Sequence, residues 1–243
     1  MPNVENIEQF LTSVYQGESG DWAKIMNQLT IAALHPLMTF AALRYVMGFP
    51  VVDVAVPKSD KSKALRLFDP RQPWRLHGFI LSYIELPSPL HLYWQGTSKR
   101  NLRTRTMQAR IAGFTVRAVG SSEISDVVSQ VLRDRGSYEH DIEAAQRRIL
   151  RSLGDAICVG VFDPNEHVVG FCIGTHAGNV VRTLFSVTSQ KGTVRWLCFS
   201  GFVEAVSARG ARFIIESPPW AFTGGNRIFA RRLGFAPARI RSR

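Results

Sequence analysis

The chain has 243 residues, 45% of them apolar and 20% charged, and a net charge of +11. That length suits one large domain or two small ones, and the composition is that of an ordinary globular protein with no low-complexity segment and no short-period repeat. The excess of Lys and Arg points to an anionic partner or substrate.

The three cysteines, Cys158, Cys172 and Cys198, lie apart in apolar runs with no CxxC pair. A structural zinc site is therefore not expected, no metal is assigned, and the odd number fits a reducing compartment, read as the cytoplasm. The N-terminus, MPNVENIEQF, carries acidic residues and no apolar core, so it does not read as a signal peptide.

Residues 3–15 predict a short amphipathic helix with Val4, Ile7, Phe10, Leu11 and Val14 on one face. After a break at 16–21, residues 22–48 read as helical and increasingly apolar. The run 31–49 is the most apolar of the chain, but His35, Pro36 and Arg44 interrupt it. A membrane span needs roughly 20 nearly uninterrupted apolar residues, so buried helices broken near Pro36 are expected instead, and no transmembrane segment. Residues 51–56 (VVDVAV) predict a strand, 57–66 a polar, mostly basic loop, and 71–74 a turn. Residues 77–86 predict a strand, Pro87-Ser88-Pro89 breaks it, and 90–94 allows another. Ser98 is a candidate N-cap for a basic helix over 99–112, in which Arg100, Arg103, Arg105 and Arg110 spread around the surface and Leu102, Met107 and Ile111 form an apolar stripe.

Residues 114–119 predict a strand, followed by helices over 123–135 and 138–153. Three strands follow at 156–162, 167–175 and 180–188, joined by the turns Asp163-Pro164-Asn165 and His176-Ala177-Gly178-Asn179, which makes an antiparallel meander. A polar turn at 189–193 leads into a helix over 194–208, with Leu197, Phe202, Val203 and Val206 at helical spacing and Gly210 as its stop. Residues 211–216 predict a strand closed by Pro218-Pro219, and a short helix runs from Gly225 to Leu233-Gly234-Phe235. The turn at Gly192 lies where a strand gives way to a helix. Free backbone N–H groups and the positive end of the helix dipole converge there, so the turn suits a phosphate, and Lys191 and Arg195 add charge.

At this point the chain resembles the GNAT acyltransferase superfamily. The final helix, GNRIFARRLGF over 225–235, is similar to the last helix and "LGF" ending of GNAT and Fem-type aminoacyl transferase domains. The segment SKRNLRTRTMQARIAGFTVR resembles the basic helix that leads into the second GNAT-like domain of Fem-type transferases. The resemblance covers roughly the C-terminal 130 residues, and the order of elements there is what it requires. It implies an α/β (α+β) fold: a GNAT-like mixed central sheet flanked by helices over 114–243, preceded by an N-terminal α/β extension over 1–113 that includes the basic helix.

In that family the loop at 189–194 wraps the pyrophosphate of acyl-CoA. Its usual pattern is Arg or Gln, two residues, Gly, one residue, then Gly or Ala. Here Ser189, Gly192 and Val194 stand at those positions, so only the central glycine matches. The resemblance implies cofactor contacts from Thr188, Ser189, Gln190, Lys191, Gly192, Thr193, Val194 and Arg195, with Asn226 and Phe229 on the last helix. It also implies an N-acyltransferase that moves an acyl group from acyl-CoA, a co-substrate, to an amine acceptor. The tyrosine that serves many GNAT enzymes as acid is absent, because Ala230 stands in its place.

Glu216 is the candidate general base, a carboxylate at a strand end before the rigid turn Ser217-Pro218-Pro219-Trp220. Against it stands a charge that meets solvent at a strand end. His176 lies in a turn and Cys198 sits between apolar helix neighbours, so neither is preferred. The alternatives are a Fem-type aminoacyl transferase using aminoacyl-tRNA, which the basic helix and the net charge favour, and a non-catalytic nucleic-acid or membrane-surface binder of the same fold.

Overall fold

The computed structural model describes residues 3–15, 30–31, 33–56, 79–150, 156–190, 192–222 and 224–242. The basic loop expected at 57–66, the turn at 71–74, the start of the helical run at 22–29 and Lys191 lie outside these residues. Among the described residues one mixed sheet of eight strands runs in the order β1-β8-β2-β7-β6-β5-β4-β3. The strands are β1 (Val51–Val54), β2 (Phe79–Glu85), β3 (Thr115–Ala118), β4 (Ala156–Phe162), β5 (Val168–Ala177), β6 (Val180–Thr188), β7 (Phe213–Glu216) and β8 (Ala236–Ser242). The helices are α1 (Val4–Tyr15), α2 (Pro36–Met47), α3 (Arg100–Ile111), α4 (Ile124–Asp134), α5 (Glu139–Leu150), α6 (Val194–Ala208) and α7 (Gly224–Leu233).

The antiparallel meander expected from β4 to β6 is present, with β3 on its outer edge. Helices α4 and α5 cover one face of it through Ile124, Val128, Val131, Ala145 and Ile149, which meet Phe171 and Ile173 of β5. On the opposite face α6 forms the centre of the molecule. It is apolar all round its surface, and Leu197, Phe199, Phe202 and Val203 are among its ten buried residues. Full burial of a side chain of this size stabilises by about 1.5–3 kcal/mol. Gly201 lets α6 lie close to β3, because a Cβ there would meet the side chain of Val116. Gly210, at φ +76°, ends the helix as the sequence predicts.

Two strands from the segment before residue 114 join the same sheet. β2 lies between β7 and β8, antiparallel to both, and β1 runs parallel to β8 at the edge. β8 is not anticipated by the sequence reading. Its residues alternate, with Ala238 and Ile240 buried beside Leu81 and Ile215.

Four local expectations change. Residues Leu90–Trp94 form a 3-10 turn, not a strand, because their aromatic side chains are anchored across α6 and α7: the Tyr93 hydroxyl donates to the Leu233 carbonyl at 2.6 Å, and Trp94 Nε1 to Ser200 Oγ at 3.2 Å. The cap of α3 is Lys99, and Ser98 lies in a short 3-10 turn before it with no capping bond. The buried stripe of α3 is Leu102, Thr106 and Ala109, while Met107 and Ile111 are exposed. Finally, the apolar run breaks at Pro36 as expected, but α2 buries only Ala42 and Val46, leaving Leu37 82% and Phe40 67% exposed. A helix apolar on every side can bury only the seam that meets its neighbours. Among the described residues no helix is long and apolar enough to cross a membrane.

Candidate active site

β6 and β7 run parallel but pair only from Val180–Arg182 to Phe213–Ile215. Beyond that point β6 continues against β5 alone, and its register slips where Ile173 faces Phe185 and Gly174 faces Thr183. Leu184 is thus an extra residue, and a bulge of this kind bends a strand and re-aims its side chains. The two parallel strands part, and a cleft opens between them.

Glu216 lies at the mouth of this cleft, the first residue of β7 beyond its pairing with β6, with Ser82 of β2 as its partner on the other side. Side chains alternate along a strand, and Ile214 is in the core beneath α6, so Glu216 faces the same side. Its carboxyl is pushed up to about 7, first by burial, with the charges of Arg195 and Arg182 pulling the other way. A carboxyl held near neutrality is suited to take a proton at physiological pH.

Arg195, in the first turn of α6, lays its guanidinium over the ring of Phe229 at 3.7 Å, and Trp196 meets the same ring edge-on at 4.8 Å. Burial lowers the pKa of Arg195, while Glu216 raises it. Arg195, Phe229 and Glu216 of the sequence-predicted set are therefore brought together. Ser189, Gln190, Gly192 and Thr193 lie between β6 and α6. Thr188 ends β6, and both the backbone N–H and the hydroxyl of Ser189 donate to the Val169 carbonyl, at 2.9 and 3.2 Å. Gln190 is exposed. Gly192 has φ +95°, with nothing within 4 Å of where a Cβ would stand. Thr193 caps α6 without a side-chain hydrogen bond, and its carbonyl accepts from Trp196 and Leu197. The first N–H groups of a helix lack intrahelical acceptors, and this first turn contains no acidic residue, so it favours an anion. Val194 is buried, and Asn226 is exposed on α7 with no hydrogen bond to the others among the described residues.

Neither Cys198 nor His176 gains support. Cys158, Cys172 and Cys198 are free and buried, and burial raises all three thiols, Cys158 to about 12. His176 Nε2 is bonded to the Gly178 carbonyl within its own turn. Among the described residues no cluster of His, Cys, Asp or Glu is arranged to hold a metal.

Ala230 is buried on α7 and lines a cavity of about 260 Å³ between α7, α1, α2 and the turn after β7. Here Glu8 accepts from the Tyr45 hydroxyl at 3.0 Å and from Arg227 Nη1 at 3.1 Å, while Arg227 Nη2 donates to Thr12 Oγ1 at 3.4 Å. Burial, and then the Glu8 carboxylate, push Tyr45 up to about 12. Sequence reasoning missed this group. Its members are distant in the chain, and only the acidic-basic pairing of α1 with α7 makes them meet.

The splayed parallel strands, the glycine loop and the helix that follows define a GNAT-like fold. FemX shares the fold with a TM-score of 0.51 at 10% identity, over 66% of this chain and 59% of FemX. L-PGS from Bacillus licheniformis matches at 0.48 and 13%, over 66% and 57%, and a tandem GNAT protein from the clavulanic acid biosynthesis pathway at 0.41 and 18%, over 52% and 43%. The chain spans a little under three fifths of the length of the solved structures it matches first. No protein-family model matches it, and no curated protein does.

Proposed function

We propose that this protein is an N-acyltransferase that moves an acyl group from acyl-CoA to an amine. The observation that carries this reading is Glu216, a carboxyl raised to about 7 at the mouth of the cleft between β6 and β7. Acyl-CoA would lie along the cleft with its pyrophosphate at Ser189–Gly192 and the first turn of α6, beside Arg195. Glu216 takes a proton from the acceptor's ammonium and passes it to solvent. The freed amine attacks the thioester carbonyl, the new N–C bond forms, the C–S bond breaks, and the remaining excess proton on nitrogen goes to the departing thiolate. Ala230 can supply no acid for that last transfer, so solvent carries the proton. Isothermal titration of the purified protein with CoA tests the reading. Micromolar binding that competes with acetyl-CoA supports it, and no binding overturns it.

A Fem-type aminoacyl transferase is the second reading, favoured by the fold shared with FemX and by the exposed Arg100 and Arg105 on α3. Three arginines of that helix are already engaged: Arg103 donates to the Trp94 and Gly96 carbonyls, Arg105 Nη1 donates to Gln108 Oε1 at 3.2 Å, and Arg110 lies 3.8 Å from Glu204. Binding to tRNA with a steep log–log dependence on salt supports this reading, because each neutralised phosphate releases counterions. Absence of tRNA binding at low salt removes it.

A further inference from the structure

The cavity beside Ala230 has an unbalanced charge. Both oxygens of Glu8 are already used, one by Tyr45 and one by Arg227. The Nε of Arg227 is buried and has no hydrogen-bond partner among the described residues. Arg231, one turn further along α7, also lines the cavity and forms no ion pair among the described residues. Two cations four residues apart on a helix share one face and repel each other. An anion beside the exposed Arg231 would relieve that repulsion, and a carboxylate fits the planar guanidinium fork best. Four aromatic rings, of Phe49, Trp220, Phe222 and Phe235, supply an apolar part of the wall. At about 260 Å³ the cavity is slightly below the roughly 300–1,000 Å³ of drug-sized sites, so it takes a small molecule and not a chain segment.

Its position links it to the cleft. Ser82 lines the cavity and is the direct strand partner of Glu216 on the same face of the sheet, and Pro219 and Trp220 follow Glu216 in the chain. We propose that the cavity holds the acceptor, a small amino acid with an apolar side chain, whose carboxylate is seated by Arg231 and whose amine is turned toward Ser82 and Glu216. This deepens the acyl-transfer reading and rests on it for the word acceptor, but the binding itself does not depend on catalysis.

Isothermal titration with three probes tests it: phenylalanine, 3-phenylpropionate (the carboxylate without the amine) and phenylalaninamide (the amine without the carboxylate). The two carboxylates are expected to bind, and the amide at least about tenfold more weakly, in line with the loss of a charge-assisted hydrogen bond. Arg231→Gln, an exposed and structurally tolerant change, is expected to remove that preference, while Arg232→Gln, the same charge change outside the cavity, leaves it intact. Equal binding of all three probes, binding of none, or equal losses in the two variants would overturn the proposal. Should the carboxylates bind with the expected preference while phenylalanine accepts no acetyl group from acetyl-CoA, the site stands and the transferase reading falls.

Discussion

Glu216 carries the chemistry proposed for this protein, and its position makes two expectations quantitative. If it is the base, turnover rises with pH through about 7 as the carboxyl loses its proton. Glu216→Gln keeps the shape and removes the charge, so turnover is expected to fall by about 10²–10⁴-fold with CoA affinity little changed. Stability should respond too. The folded carboxyl keeps its proton up to about 7, whereas the ordinary value is 4.5. Between those values the folded state binds the extra proton, so stability is full below 4.5 and declines as pH rises through 7. Urea unfolding at pH 5 and pH 8 is expected to show that decline in the native protein and to show less of it in the Gln variant. Gly192 is the other decisive residue. At φ +95° valine is strained, and its side chain would fill the open space beside the helix N-terminus. Gly192→Val is expected to weaken CoA binding with the fold retained, as calorimetry and circular dichroism would record.

At the scale of the element, α7 is fixed by its C-terminal end. The Leu233 carbonyl accepts from both the Tyr93 hydroxyl and the Lys99 ammonium, and Lys99 lies 4.1 Å over the Tyr93 ring. Burial lowers Lys99 to about 8. Gly234 follows at φ +97°, a conformation that side chains rarely adopt, so the "LGF" ending favours its glycine. Tyr93→Phe leaves a buried carbonyl with one donor fewer and is expected to cost about 0.5–1.5 kcal/mol in chemical denaturation. Elements of this kind divide by how local their cause is. The meander and α6 were legible because alternation and helical spacing are written within each segment, and the place of Glu216 at a strand end was legible because a charge ends an apolar run. The turn at Leu90–Trp94 was not, since five apolar and aromatic residues fit a strand equally well until Tyr93 and Trp94 find distant partners. The meeting of Glu8, Tyr45 and Arg227 was not legible either, because no local pattern encodes a contact between the two ends of the chain.

For the whole molecule, the surface of α2 is the largest departure from expectation. Leu37 and Phe40 are exposed, so replacing them should act on the surface and not on the core. The double variant Leu37→Lys with Phe40→Lys is expected to change unfolding free energy by no more than about 0.5 kcal/mol per site. A loss of several kcal/mol would mean that these side chains are buried in solution. The insertion of β2 between β7 and β8 has a further effect at this scale. It joins the first and last parts of the chain in one sheet, so removal of the N-terminal segment would expose the edges of β7 and β8 together.

The parting of β6 from β7 also has a signature in time. From Thr183 to Thr188 β6 pairs with β5 on one side, and among the described residues no strand pairs with it on the other. Amides directed to that open side lack a ladder partner strand and are expected to exchange faster with solvent, while those directed to β5 are held by the ladder. Deuterium uptake along β6 should therefore alternate between fast and slow residues, in contrast to the uniformly slow central residues of β5. An extended ligand with its own amide groups would act as the missing strand, and on its binding the fast set should slow while the rest of β6 stays as it was.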